Sequence, residues 1–153
     1  MWLFYIASNI VGISFLWISA RRTRLARLLL SVLFGSASIA NLVMSHNEPQ
    51  VYLHFAETSI SPYTEFIQGW FSRHITEVVT CIAIGQALIA IGMLLRGWFP
   101  KLACAGAILF LLAIAPLGLN AAFPFSITTS LAAYFILRKD DKNYVWMVNK
   151  GIL

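Results

Sequence analysis

The longest uncharged segment of the chain runs from residue 102 to residue 137, 36 residues without Lys, Arg, Asp or Glu. A straight helix of that length would reach about 54 Å, whereas the hydrocarbon core of a bilayer is about 30 Å thick. The middle of the segment contains four residues that break helices or favour turns: Pro116, Gly118, Asn120 and Pro124. The segment therefore predicts two membrane spans, near residues 102–117 and 122–138, joined as a tight helical hairpin.

Three further apolar runs approach the length of about 20 residues that a spanning helix needs. They cover residues 1–20, 28–45 and 75–95. The first run lacks the basic residues that begin a secretory signal peptide, so we interpret it as an uncleaved span. In the second run Ser31 and Gly35 lie four residues apart, a small-residue pattern that lets another helix approach closely.

The composition indicates the same class of protein. Hydrophobic residues make up 59% of the chain and charged residues 11%, against roughly 25% charged in a typical soluble domain. The mean hydropathy is +0.78, so the chain has too little polar surface for a soluble enzyme, a disordered tail or a secreted disulfide scaffold. The net charge of +5 would suggest nucleic acid as a partner of a soluble domain. Here the basic residues form short clusters between apolar runs, so we expect no nucleic-acid partner.

The basic residues also predict the orientation of the spans. With five spans, ten of the eleven Lys and Arg residues fall on one side and only Arg73 lies opposite. The ten are Arg21, Arg22, Arg24, Arg27, Arg96, Lys101, Arg138, Lys139, Lys142 and Lys150. Cytoplasmic loops carry the excess of positive charge. We therefore expect the chain to lie in a bacterial inner membrane, with the N-terminus outside and the tail, residues 139–153, in the cytoplasm. A re-entrant final hairpin would place Arg138 and Lys139 outside, which this rule disfavours.

The only long connection, residues 46–74 (the outer segment), is rich in aromatic residues. Two pairs of residues resemble helix starts: Asn47 with Gln50, and Ser61 with Pro62. We therefore predict two short amphipathic helices, near residues 48–57 and 62–73, that lie in the membrane interface or cap the bundle. Three side chains share one face of the second helix through their spacing of four: Phe66, Trp70 and His74.

Four spans with an amphipathic segment between the first two, over residues 23–138, resemble the DoxX-like family of small bacterial integral membrane proteins. The stretches 47–55, 71–74 and 115–118 are similar to sequences of such proteins. The resemblance implies a four-helix membrane core, to which residues 1–20 add an N-terminal span. Some members of the family are linked to quinone-coupled sulfur oxidation, but the resemblance assigns no catalytic role to particular residues.

Glu77 is an acidic residue inside a predicted span, and such a placement suggests a functional role. The same helix face carries His74 and Cys81. With Asn41 of the preceding span, these residues could line an outward-opening polar pocket that relays protons or binds a small molecule. The alternative is an ion pair between Glu77 and Arg73 at the membrane interface.

The remaining polar residues have simpler interpretations. Cys81 and Cys104 lie near opposite ends of their spans, about 15 Å apart in depth, whereas a disulfide needs Cα atoms within roughly 7 Å. We therefore predict two free thiols, which argues against a thiol–disulfide enzyme. Gln86, in the middle of a span, is expected to form a hydrogen bond to a neighbouring helix.

No phosphate-binding loop, dinucleotide fingerprint, C-x-x-C pair or H-E-x-x-H motif is present in the sequence. We expect no metal site and no catalytic residues, and the sequence names no cofactor. The fold expected is an all-α polytopic membrane helix bundle in the lipid bilayer. Such a protein could bind a lipid, a quinone or another hydrophobic small molecule, or serve as a membrane subunit of a larger complex. The alternative function is the membrane subunit of a quinone-linked oxidoreductase.

Overall fold

A computed structural model describes residues 2–121, 123–140 and 142–146, with side chains from residue 6 onward, and this part of the chain is helical without a strand. The α-helices are α1 (Trp2–Arg21), α2 (Thr23–Asn47), α3 (Ser61–Gln68), α4 (Ile75–Leu94), α5 (Phe99–Ile114) and α6 (Phe125–Lys139). Three 3-10 helices, Pro49–Glu57, Phe71–Arg73 and Ala115–Ala121, join them. The predicted all-α architecture is confirmed.

Successive long helices run in opposite directions, and each contacts the next in the closed order α1, α2, α4, α5, α6. The two helices that close this order, α6 and α1, run parallel. At the end of α6, the Lys139 ammonium donates to the carbonyl of Ala20 at the end of α1, at 2.8 Å. Arg27, in the first turns of α2, donates to the carbonyl of Met93 near the end of α4, also at 2.8 Å. These contacts bring residues 20–27, 93–101 and 138–140 together at what we call the basic end of the bundle. Lys150 lies outside the described residues.

Within the described residues, three helical segments are long and apolar enough to cross a membrane: Thr23–Asn47, Ile75–Leu94 and Phe99–Ala121. Ile6–Arg21 within α1 is a shorter apolar helix, and α6 has 15 residues. The prediction of a helical membrane protein is therefore confirmed in its coarse form, and the count of five spans stays a prediction.

Small residues bring α2 and α4 close together. The Ser31 hydroxyl donates to the carbonyl of Ala90 at 2.8 Å, and a Cβ added at Gly35 would lie only 3.8 Å from the Cβ of Ala90. Further along the same interface, the Ser38 hydroxyl donates to the carbonyl of Ala83 at 2.7 Å. The close approach predicted from the spacing of Ser31 and Gly35 is confirmed.

The outer segment folds into short helices whose starts differ from the prediction. The proposed cap at Asn47 is wrong, because α2 continues through that residue and the amide of Glu48 still donates to the carbonyl of Met44. At the second start Ile60, and not Ser61, occupies the cap position, and no side chain caps the helix. The predicted helix 62–73 is interrupted, because α3 ends at Gln68 and a separate 3-10 turn covers Phe71–Arg73. The three aromatic residues nevertheless stack in order: Phe66 on Trp70, with ring centroids 5.8 Å apart, and Trp70 on His74, at 4.5 Å.

The break in the long uncharged segment lies where its turn-forming residues predict it. Helix α5 ends at Ile114, the 3-10 helix Ala115–Ala121 follows, and α6 begins at Phe125. Gly118 adopts a φ of 77°, a left-handed conformation that favours glycine. The chain thereby reverses direction within a short connection.

Candidate functional site

A cavity of about 550 Å³ lies among α2, α4 and α5, beneath the outer segment and the 3-10 helix Ala115–Ala121. Its described lining contains no charged side chain. Eight aromatic rings face it: Phe34, Tyr52, Phe55, Tyr63, Phe66, Phe71, Phe110 and Phe125. The polar lining residues are Asn41, Tyr52, Tyr63, Gln86 and Asn120. A volume within roughly 300–1,000 Å³ and a mainly apolar wall are typical of small-molecule sites.

Helices α4 and α5 approach each other closely toward the basic end, away from the cavity. There a Cβ added at Gly92 would lie 2.9 Å from the Cβ of Ala103, and one added at Gly106 would lie 3.4 Å from the side chain of Ile89. At the other end bulkier residues of both helices, among them Ile82, face the cavity. The small residues thus hold the helices together at one end, and the space between them opens toward the outer segment.

The outer segment is fastened over the cavity through Thr58. Its hydroxyl donates to the carbonyl of Leu117 at 2.7 Å and accepts from the backbone amide of Asn120 at 3.2 Å. A Cβ at Gly118 would collide with the carbonyl oxygen of Thr58. Gly118 therefore permits both the left-handed turn and the close approach that closes this part of the cavity.

A chain of hydrogen bonds leads from the outer segment into the cavity. The Tyr52 hydroxyl donates to Oδ1 of Asn41 at 2.8 Å, and Nδ2 of Asn41 donates to Oε1 of Gln86 at 2.8 Å. Gln86 lies about 16 Å along α4 from its first residue, near the middle of a span. Burial raises the pKa of the Tyr52 hydroxyl, so the group stays protonated and able to donate. The predicted bond from Gln86 to a neighbouring helix is confirmed.

The amide nitrogen of Gln86 has no hydrogen-bond partner among the described residues, although the side chain is only 3% exposed. This nitrogen is not one of the fully buried unpaired side-chain atoms of the described residues, which are the hydroxyl oxygens of Ser126 and Thr129, so it keeps some exposure to the cavity. The cavity therefore presents an unsatisfied donor to any molecule that enters it. Sequence reasoning missed Tyr52 as part of this network, because nothing in its local sequence indicates a contact with α2.

The four residues of the predicted polar pocket are not brought together in this cavity. Asn41 lines it, whereas His74, Glu77 and Cys81 do not. His74 stacks on Trp70, and the side chains of Glu77 and Cys81 are exposed. Glu77 lies about half a turn around α4 from Gln86, so its carboxylate does not face the bundle interior. The joint role of the four residues remains a prediction.

The alternative role for Glu77 was an ion pair with Arg73. The ion pairs among the described residues do not include this one. Acidic and basic groups do pair elsewhere in the outer segment, where Nδ1 of His54 lies 2.9 Å from a carboxylate oxygen of Glu57. Across the described ranges, no three His, Cys, Asp or Glu side chains come together as metal ligands. Cys81 and Cys104 are both free, as the difference in their depth predicts.

Arg27 has a role that the sequence interpretation missed. Its side chain is fully buried, and its guanidinium donates to a carboxylate oxygen of Asp140. The same group donates to the backbone carbonyls of Met93, Leu95 and Asn143. The charge pattern of the sequence predicts for Arg27 only a place on the cytoplasmic side. The available signal was its spacing, because it shares the face of α2 that carries the buried residues Leu30, Ser31 and Phe34.

The cavity and the Arg27 contacts thus lie toward opposite ends of the bundle. The cavity is mainly apolar and contains the unpaired side-chain nitrogen of Gln86, whereas the charge of Arg27 already has its hydrogen-bond partners. The apolar cavity is the better candidate for a ligand site. Comparisons of the chain with models of protein families, with curated proteins and with solved structures find no match, so the site is interpreted from its own geometry.

Proposed function

We propose that this chain is a DoxX-like protein of the bacterial inner membrane that binds a hydrophobic small molecule, such as a lipid or a quinone, in the cavity beneath the outer segment. The observation that carries the proposal is a cavity of about 550 Å³ with eight aromatic rings and no charged side chain in its described lining. Burying apolar ligand surface there contributes about 25 cal/mol per Å². A charged group would lose its hydration without gaining a counter-charge.

Access to the cavity is available at its rim. The lining residues Phe66, Ala113 and Asn120 are exposed, so the cavity reaches the surface between α3, α5 and the connection to α6. A hydrophobic molecule dissolved in the bilayer could enter there without passing through water. The apolar helices around the site are themselves suited to contact with lipid.

The DoxX-like assignment is supported by the arrangement of the helices. Helices α2, α4, α5 and α6 contact one another in sequence order, and the outer segment connects the first two. Helix α1 packs on α2 and α6 as an additional helix. The proposed orientation, with the N-terminus outside and the C-terminus in the cytoplasm, is supported by the collection of basic residues at one end of the bundle.

The test is to purify the protein from its membrane in mild detergent and identify bound molecules by mass spectrometry of an organic extract. Ala37 lines the cavity, and Ala40, on the same helix, is exposed and does not. Ala37→Phe fills part of the cavity, while Ala40→Phe adds the same ring outside it. We expect one hydrophobic compound near one per chain in the wild type and in Ala40→Phe, and much less in Ala37→Phe.

The proposal fails if the wild type and Ala37→Phe carry the same compounds in the same amounts, because bound molecules would then lie elsewhere. A visible absorption spectrum of the same preparations tests the alternative function. A co-purified redox group would favour a membrane subunit of a quinone-linked oxidoreductase over a simple binding protein.

A further inference from the structure

The wall of the cavity contains a hydrogen-bond donor that the protein does not use. Gln86 lines the cavity from the middle of α4, and only 3% of its surface is exposed. Its Oε1 accepts from Nδ2 of Asn41, and its Nε2 has no partner among the described residues. This nitrogen is therefore available to donate to an acceptor that enters the cavity.

The direction of the hydrogen bonds leaves this donor in place. The Tyr52 hydroxyl lies 3.3 Å from the backbone oxygen of Asn41 and 2.8 Å from its Oδ1. The shorter contact is the hydrogen bond, in which the hydroxyl donates its single proton to Oδ1. The Asn41 amide then accepts with its oxygen and donates with its nitrogen, and Gln86 must accept with Oε1. The N–H groups of Gln86 are consequently left for the cavity.

We propose that Gln86 binds a carbonyl oxygen of a neutral hydrophobic ligand, with Asn41 and Tyr52 as positioning residues that set the orientation of its amide. The inference rests on the proposed function, since it names the chemistry of the molecule held in the same cavity. A carboxylate or a phosphate is excluded from the cavity because its described lining offers no positive charge. A ketone and an ester both supply the required acceptor.

Three probes of similar length distinguish a ketone, an ester and a molecule without an acceptor: 2-tridecanone, methyl laurate and n-tridecane. Their binding is measured by native mass spectrometry in detergent for the wild type, Gln86→Met and Ser38→Ala. Ser38 is the matched control, because it bonds α2 to Ala83 of α4 and lies outside the cavity lining. Gln86→Met keeps the length of the side chain and removes the donor.

We expect the wild type and Ser38→Ala to bind the ketone, the ester or both about tenfold more tightly than tridecane, a difference typical of one satisfied hydrogen bond. In Gln86→Met this preference disappears, while tridecane binds as before. The carbonyl probe that binds more tightly to the wild type identifies the ligand as ketone-like or ester-like.

The positioning role is tested by isotope-edited infrared spectroscopy of a bound probe with a ¹³C carbonyl. In the wild type the stretch shifts to lower frequency through the bond to Gln86, and in Gln86→Met it returns to the unbonded value. Tyr52→Phe removes the hydroxyl that sets the direction of the amide. We therefore expect this variant to show the bonded and the unbonded carbonyl bands at the same time. A single bonded band in Tyr52→Phe would overturn the role of Tyr52.

The carbonyl assignment and the proposed function give different results when they are wrong. If tridecane and the carbonyl probes bind equally well and Gln86→Met changes nothing, the carbonyl assignment is wrong and the hydrophobic cavity stands. If none of the three probes binds the wild type, the proposed function itself is wrong.

Discussion

The guanidinium of Arg27 lies 2.8 Å from the carboxylate of Asp140, 113 residues later in the chain, and both side chains are buried. The pair joins the start of α2 to the end of α6. The same guanidinium donates to the carbonyls of Met93 and Leu95, which α4 leaves unpaired where it ends. One side chain therefore connects three helices at the basic end.

Asp140→Asn should strongly destabilise the bundle, because it leaves the charge of Arg27 buried without its counter-charge. Removing one partner of a buried pair costs about 3–5 kcal/mol. The measurement is the free energy of unfolding by titration with a denaturing detergent in mixed micelles. Glu57→Gln is the control, since it changes the exposed pair with His54 and should have little effect. Equal stability of Asp140→Asn and the wild type would contradict a structural role for the pair.

Gly118→Ala should loosen the outer segment. The φ of 77° is unfavourable for alanine, and the added Cβ collides with the carbonyl oxygen of Thr58. Gly97→Ala is the matched control, since Gly97 has a φ of 75° but nothing within 4 Å of an added Cβ. Backbone strain alone costs about 1–2 kcal/mol.

Hydrogen–deuterium exchange of residues 54–64 gives the readout for these two variants. Exchange should rise in Gly118→Ala and remain near the wild-type rate in Gly97→Ala. A similar effect of both substitutions on this segment would show that the collision with Thr58 is unimportant.

The two cysteines should differ in reactivity and remain unpaired. Cys81 is exposed and Cys104 is fully buried. N-ethylmaleimide should therefore modify one thiol per chain in the native protein and both thiols after denaturation, as read by intact mass. Omitting reductant should change neither result. Loss of both modifications without reductant would indicate a disulfide and a different arrangement of α4 and α5.

Glu77→Gln should have little effect on thermal stability in detergent. The carboxylate is exposed, and no ion pair with Arg73 is seen among the described residues. The melting temperatures of the wild type and Glu77→Gln should agree at both pH 5 and pH 8. A difference that depends on pH would instead support the polar pocket predicted with His74 and Cys81.

The proposed orientation is tested by single cysteines in a background without Cys81 and Cys104. Asn47 and Arg138 are exposed and lie at opposite ends of the bundle. An impermeant maleimide added to intact spheroplasts should label Asn47→Cys and should label Arg138→Cys only after the membrane is permeabilised. Labelling of Arg138→Cys from outside would contradict the five-span count.

Much of the fold could be read from local patterns. The long apolar runs, the turn-forming residues near Gly118 and the spacing of Ser31 and Gly35 each act over a few residues, and the structure has helices, a break and a close helix contact at those positions. Hydropathy and turn propensity are local properties of the chain, which is why these features were accessible. The cavity and its hydrogen bonds were not, apart from Asn41 as a candidate residue and the interhelical bond of Gln86.

The sequence by itself determined that this is a helical membrane protein with two free thiols, and it predicts that most of the basic residues lie on one side of the membrane. Only the tertiary structure decided that Glu77 faces outward, that Arg27 meets Asp140, and that Gln86 points an unpaired amide into a cavity. In a membrane protein the faces toward lipid and toward neighbouring helices are both apolar. Periodicity therefore does not distinguish them, and the partner of each polar side chain depends on which helices pack together.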